Sequence, residues 1–299
     1  MIDIELIEAP SNLGLKPPCP GVEPGTRRAP EALIHSGLAA MPGIQLHRRI
    51  EAPVYSPDES RPVNIRNLEK IAMYSRRLAA AIGTAVRNTR FPLVIGGDCS
   101  ILIGVGLALS ELGTYGLLFV DGHTDFFLPE QSATGGAAGM DLALVTGFGP
   151  DALTDIEGHK PYFRPENVLL LGNRDSDLRP TRAIPGPKQA GMDYWDLDSL
   201  RTHQTLPIVR TRIAALANRP VDGFWIHLDV DALEDSIMPA VDSRQPGGFS
   251  WDEMAGIVKT ALASGRAVGM EITIFDPDRD SDGSLASVLC ENIVHWFGV

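Results

Sequence analysis

Three cysteines, Cys19, Cys99 and Cys290, are too few and too widely spaced for a disulfide framework. Their scarcity fits a reducing compartment, and a cytoplasmic location is the expectation. Basic residues are short too: 26 Lys and Arg stand against 38 Asp and Glu, a net charge of −12. That balance argues against a nucleic-acid-binding surface, although acidity mostly serves solubility and identifies no partner. No apolar run reaches the roughly 18 residues of a membrane span. The start, Met1-Ile2-Asp3-Ile4-Glu5, has neither the basic region nor the apolar core of a signal peptide. No internal repeat or linker interrupts the chain, so a single domain is expected over residues 1–299. What is present suits a soluble protein with a substantial core: 44% hydrophobic and 21% charged residues.

Apolar runs alternate with helical patterns from end to end, the rhythm of an α/β fold with a mostly parallel sheet. Strands are expected at residues 2–7, 44–52 (at an edge), 91–95, 115–120, 168–171, 192–195, 223–230 and 267–275. Helices are expected from Pro30 onward and over 64–88, 101–112, 140–146, 206–217, 251–263 and 283–296. The stripe Ile65, Leu68, Ile71, Tyr74, Leu78 and Ile82 marks the second helix, with Asn64 as its cap. Ser250 and Glu253 form a capping-box pattern. Long loops rich in Pro and Gly cover 10–30 and 232–250, and loops of that length are often functional. Gly96-Gly97 allows a sharp turn from strand to helix.

Two apolar runs end in hard ligands. One is Phe119-Val120-Asp121-Gly122-His123-Thr124-Asp125, and the other is Trp225-Ile226-His227-Leu228-Asp229-Val230-Asp231. Residues two apart on a strand share a face, so Asp121, His123 and Asp125 are expected to project together, as are His227, Asp229 and Asp231. Carboxylates gathered without a cation would raise one another's pKa, and shared cations relieve that repulsion. A Mg2+ or Ca2+ site without chemistry is the alternative, and His123 counts against it by favouring a borderline metal.

In chain order the sequence shows Gly96-Gly97-Asp98-Cys99-Ser100, Asp121-Gly122-His123-Thr124-Asp125, Arg174-Asp175-Ser176-Asp177 and Leu228-Asp229-Val230-Asp231. This series resembles the arginase/agmatinase family, the ureohydrolases. Their patterns read Gly-Gly-Asp-His-Ser, Asp-Ala-His-x-Asp and x-x-Asp-x-Asp-x-x-Asp-Pro, in that order. The resemblance spans nearly the whole chain and implies a three-layer α/β/α fold. It also implies two Mn2+ ions that activate a water to attack a guanidinium carbon. By matching positions, Cys99, Asp121, Asp125 and Asp229 would hold one ion, and Asp121, His123, Asp229 and Asp231 the other. Two cations about 3.5–4 Å apart lower the pKa of a shared water and orient it. Asp125 would serve the chemistry, and Asp175 and Asp177 would approach the substrate's α-amino group. The implied activity is hydrolysis of a linear guanidino or amidino C–N bond, in arginine or a modified arginine such as Nω-hydroxyarginine, releasing urea or an analogue. Formimidoylglutamase-like hydrolysis and an inactive arginase-fold scaffold are the other readings. A trimer or hexamer is the implied assembly.

The sequence departs from the family at several points. Cys99 stands in place of a His; a thiolate suits Zn2+ or Fe2+ better than Mn2+, or Cys99 is simply buried and binds nothing. The segment in which many arginases carry a proton-shuttling His reads Gly135-Gly136-Ala137-Ala138-Gly139. His227 either takes over part of that role or packs as an ordinary strand histidine. The family's guanidinium-gripping Glu falls on Ile274, and Glu271 either substitutes for it or supports the site from behind. Phe127 replaces an Asn near the substrate carboxylate, so Phe127 and Asp175 disagree about free arginine.

Overall fold

Strands apolar at every position belong in a sheet covered on both faces. The computed structural model describes residues 2–57, 62–175 and 186–298 and contains one parallel sheet of eight strands. These are β1 (Ile4–Ala9), β2 (Ile44–Arg49), β3 (Phe91–Gly96), β4 (Gly116–Val120), β5 (Val168–Leu171), β6 (Asp193–Trp195), β7 (Phe224–Asp229) and β8 (Ala267–Thr273). Their order is β2-β1-β3-β8-β7-β4-β5-β6. The interior strands β1, β3, β4, β5 and β7 are buried throughout, whereas β2, at an edge, alternates half-buried and exposed positions.

Helices cover both faces. One face packs under α1 (Ala29–His35); the other packs under α2 (Leu68–Arg87), α3 (Leu102–Ser110), α4 (Asp141–Val145) and α5 (Asp151–Thr154). The helices α6 (Leu197–Thr202), α7 (Thr205–Ala217), α8 (Trp251–Ala263) and α9 (Ser284–Trp296) join α1. The result is the three-layer α/β/α arrangement. No helix among the described residues is long and apolar enough to cross a membrane.

Several boundaries differ from the sequence expectation for local reasons. Asn64 does not cap α2. Its amide donates to the carbonyls of Pro129 (2.6 Å) and Ser132 (2.9 Å), and Asn67, at φ 49°, blocks helical continuity before Leu68. Residues 62–67 thus fasten the 126–139 loop, helped by Arg66 Nε bonding the Thr134 carbonyl at 2.8 Å. The strand β8 stops at Thr273 because Ile274 adopts φ 72° and donates its N–H to the Gly97 carbonyl at 2.8 Å. The short helix α6, capped by Asp196, was too brief to show periodicity. Gly97 is required by close approach rather than by an unusual φ: a Cβ there would lie 2.4 Å from the Ser11 carbonyl oxygen.

The strands β3 and β4 follow one another in the chain but are separated in the sheet by β8 and β7. Such a switch leaves a crevice beyond the carboxyl ends of the strands, where α/β folds place ligands.

Candidate metal centre

Four neighbouring strands deliver the site. Cys99 follows β3, Asp121 follows β4, Asp229 closes β7, and Ile274 follows β8. Asp121, His123 and Asp125 do not lie on a strand, contrary to the expectation from strand alternation. They occupy the loop after Val120, where the Asp121 carboxylate accepts the His123 N–H at 2.6 Å and Asp125 takes φ 42°. This side-chain turn, not the pleat, gathers them. Asp229 repeats the device, accepting the Asp231 N–H at 2.7 Å.

The two clusters meet. His123 Nδ1 lies 2.9 Å from Asp231 Oδ2, and the Gly122 N–H bonds Asp231 Oδ1 at 3.0 Å. A Cβ at Gly122 would stand 2.7 Å from both Asp231 Oδ1 and Arg174 Nη2, so only glycine fits beneath this contact. Cys99 Sγ donates to Asp229 Oδ2 at 3.0 Å and lies 3.1 Å from Thr273 Oγ1. Donor atoms of Asp121, His123 and Asp231 all fall within 4.8 Å of one another, as do those of Cys99, Asp125 and Asp141. Asp141, at the start of α4, is fully buried, and the sequence reading missed it because it belongs to none of the motifs.

The electrostatics follow from burial. Asp121 is pushed up to about 6, first by burial and then by Asp231. Asp125 and Asp141 are also raised by burial and by neighbouring carboxylates. So is Asp229, through burial and then Asp231. Burial likewise raises the Cys99 thiol, with Asp229 next. Burial opposes the charge on His123, but Asp231 and Asp121 overcome it and hold the imidazole well above its usual value. Asp121 Oδ2, Asp141 Oδ2 and His227 Nε2 are buried with no hydrogen-bond partner among the described residues. Carboxylate and imidazole atoms left without partners, beside a thiol, fit divalent cations.

A cavity of about 340 Å³ opens above this floor, lined by Cys99, His123, Asp125, Asp229 and Asp231, and further out by Asp175 and Phe127. Lys16, Asp242 and Ser243 also line it, and no motif had flagged them. Asp175 is held by Thr124 Oγ1 (3.0 Å) and Asn173 Nδ2 (3.3 Å). Asp177 lies outside the described residues.

Known proteins resemble this chain in sequence and in fold. The arginase family profile matches residues 15–297. The chain belongs to the arginase family of hydrolases. The arginase of Staphylococcus aureus strain COL is 29% identical, aligned over 99% of this chain and 97% of its own. That of Bacillus caldovelox is 32% identical over 78% of this chain and 77% of its own. The solved structure of the B. caldovelox arginase superposes with a TM-score of 0.88 at 26% identity, covering 100% of this chain and 99% of the other.

Within this arginase-family frame the departures become spatial. Ile274 lines the cavity, whereas Glu271 does not. Glu271 is fully buried behind His227, with Oε1 2.9 Å from His227 Nδ1. His227 is also fully buried, stacked on Phe119 at 4.4 Å between ring centres, and it too is absent from the cavity wall.

Proposed function

We propose that this chain is a metal-dependent amidinohydrolase that cleaves the guanidino C–N bond of arginine or a modified arginine such as Nω-hydroxyarginine, releasing urea or a urea analogue. The convergence of Cys99, Asp121, His123, Asp125, Asp229 and Asp231 beneath one cavity is the observation that supports it. Cys99, Asp121, Asp125 and Asp229 would hold one cation, and Asp121, His123, Asp229 and Asp231 a second. Mn2+ is the expected metal, and Cys99 admits Zn2+ or Fe2+. When bound, the cations supply acidity to a water and draw electron density from the guanidinium carbon.

The chain's own groups complete the reaction. Asp125 faces the cavity; its carboxylate takes a proton from the attacking water and returns it to the departing amine. The water oxygen bonds to the guanidinium carbon, the C–N bond breaks, and the amine leaves carrying that proton. Asp175 offers a fixed negative charge to the substrate's ammonium group. Lys16, at the mouth, offers a positive charge to a carboxylate. The pair favours an amino-acid guanidine over a decarboxylated one. His227 and Glu271 act from behind the wall rather than on the substrate. A homo-oligomer, trimer or hexamer, belongs to the same proposal.

Incubation with arginine, agmatine, guanidinobutyrate, Nω-hydroxyarginine and formimidoylglutamate, each with Mn2+, Zn2+ or Fe2+, tests the reading. Urea or hydroxyurea from the α-amino acid guanidines is expected. Formamide alone would move the chain to formimidoyl hydrolysis. No product with any metal would leave the scaffold reading, which Ile274 favours by putting an apolar side chain where the resemblance implies a guanidinium-gripping Glu.

A further inference from the structure

We propose that the cation position beside Cys99 has been rebuilt around two additional ligands, His227 and Asp141, giving a sulfur, nitrogen and oxygen site suited to Zn2+ or Fe2+. The inference rests on the metal-dependent reading above and specifies the ligands of that site. Three observations carry it.

His227 Nε2 is fully buried, has no partner among the described residues, and stands 3.9 Å from Asp121 Oδ2 and 4.0 Å from Asp141 Oδ2. Those separations are too long for hydrogen bonds. They are close to the about 3.3–3.8 Å expected between two ligand atoms on one tetrahedral ion with bonds of about 2.0–2.3 Å. Cys99 Sγ joins two overlapping sets: the donors of Cys99, Asp121 and His227 all lie within 4.8 Å of one another, and so do those of Cys99, Asp125 and Asp141.

Asp141 has one oxygen engaged, accepting its neighbour's Leu142 N–H at 2.7 Å. The other, Oδ2, is buried and unpartnered. His227 Nε2 is too distant to satisfy it directly, and a shared cation would satisfy both.

The Glu271 carboxylate engages His227 Nδ1 at 2.9 Å, which fixes the ring and leaves Nε2 facing forward. A carboxylate behind an imidazole is the arrangement that orients metal-binding histidines. Phe119 stacking on the ring prevents it from turning away. The imidazole lost where Cys99 stands is thus supplied from β7. Cys99 binds as the thiolate, so the proton it donates to Asp229 Oδ2 in the free protein is released to solvent on binding.

Anomalous diffraction from crystals of the full chain loaded with Zn2+ tests the assignment without altering any residue. An ion within bonding distance of Cys99 Sγ, His227 Nε2 and Asp141 Oδ2 is expected. An ion bound only by Cys99, Asp121, Asp125 and Asp229, or no ion at this position, would overturn it. Co2+ titration of the chelator-stripped protein gives a solution counterpart. A near-ultraviolet thiolate-to-Co2+ band should appear and be lost in Cys99→Ser. His227→Gln and Asp141→Asn should each weaken Co2+ binding at least tenfold; unchanged affinity in both would refute the proposal. These readouts separate the two readings. An ion on His227 without any product defeats the hydrolase proposal alone, and urea release with His227 unligated defeats this one alone.

Discussion

A β-branched side chain at φ 72° is strained by about 1–3 kcal/mol, yet Ile274 is held there by its N–H bond to Gly97. The conformation turns an apolar side chain into the cavity, at the position where the family resemblance implies a guanidinium-gripping Glu. Ile274→Glu should therefore restore a charged anchor. A charge-assisted hydrogen bond contributes about 1.5–3 kcal/mol, so arginine binding measured by calorimetry should tighten about tenfold or more. Binding that is unchanged or weaker would show that the guanidinium does not approach this wall. Gly122 makes the complementary point. Where the family pattern has Ala, this chain has no room for a Cβ beside Arg174 and Asp231.

At the scale of elements, the site depends on how strands end rather than on how they run. The loop after β4 and the turn after β7 each use an aspartate to cap their own backbone. The same carboxylates then face the proposed cation position. The helix α8 has no such double duty. Ser250 and Glu253 satisfy each other's backbone N–H, at 3.2 and 3.0 Å. Ser250→Ala should lower unfolding stability by about 1 kcal/mol, read from denaturant midpoints. A loss below about 0.3 kcal/mol would mean that the Glu253 contact with Arg201 holds the helix start unaided.

For the whole molecule, metal removal and pH are linked. Asp121, raised to about 6, and Asp125, Asp141 and Asp229, also raised, bind protons more tightly in the folded chain than in the unfolded one. Their contribution to stability is full below the unfolded value of 3.8 and is lost as pH rises through the folded values, for Asp121 about 6. Asp231, lowered by His123 against the effect of its burial, works in the opposite sense only below its ordinary range. The chelated protein should therefore gain thermal stability, relative to the metal-loaded protein, as pH falls from about 7 to about 5. Melting curves with and without divalent cation check this. A gap in Tm that does not change with pH would mean that these carboxylates are not compensated by metal.

The sequence alone determined the α/β rhythm, the parallel buried strands and the motif residues Cys99, Asp121, His123, Asp125, Asp229 and Asp231. Apolar continuity and local ligand spacing are properties of contiguous residues. Only the tertiary structure decided that β8 and β7 separate β3 from β4, and so which acids share one floor. It also decided that Glu271 stands behind His227 and that Ile274 faces the cavity. It brought in Asp141, which lies in no motif and acquires meaning only through burial beside His227. Periodicity records which face a side chain takes on its own element. It does not record what a distant segment places opposite, and a polyvalent site is made of those opposed contacts.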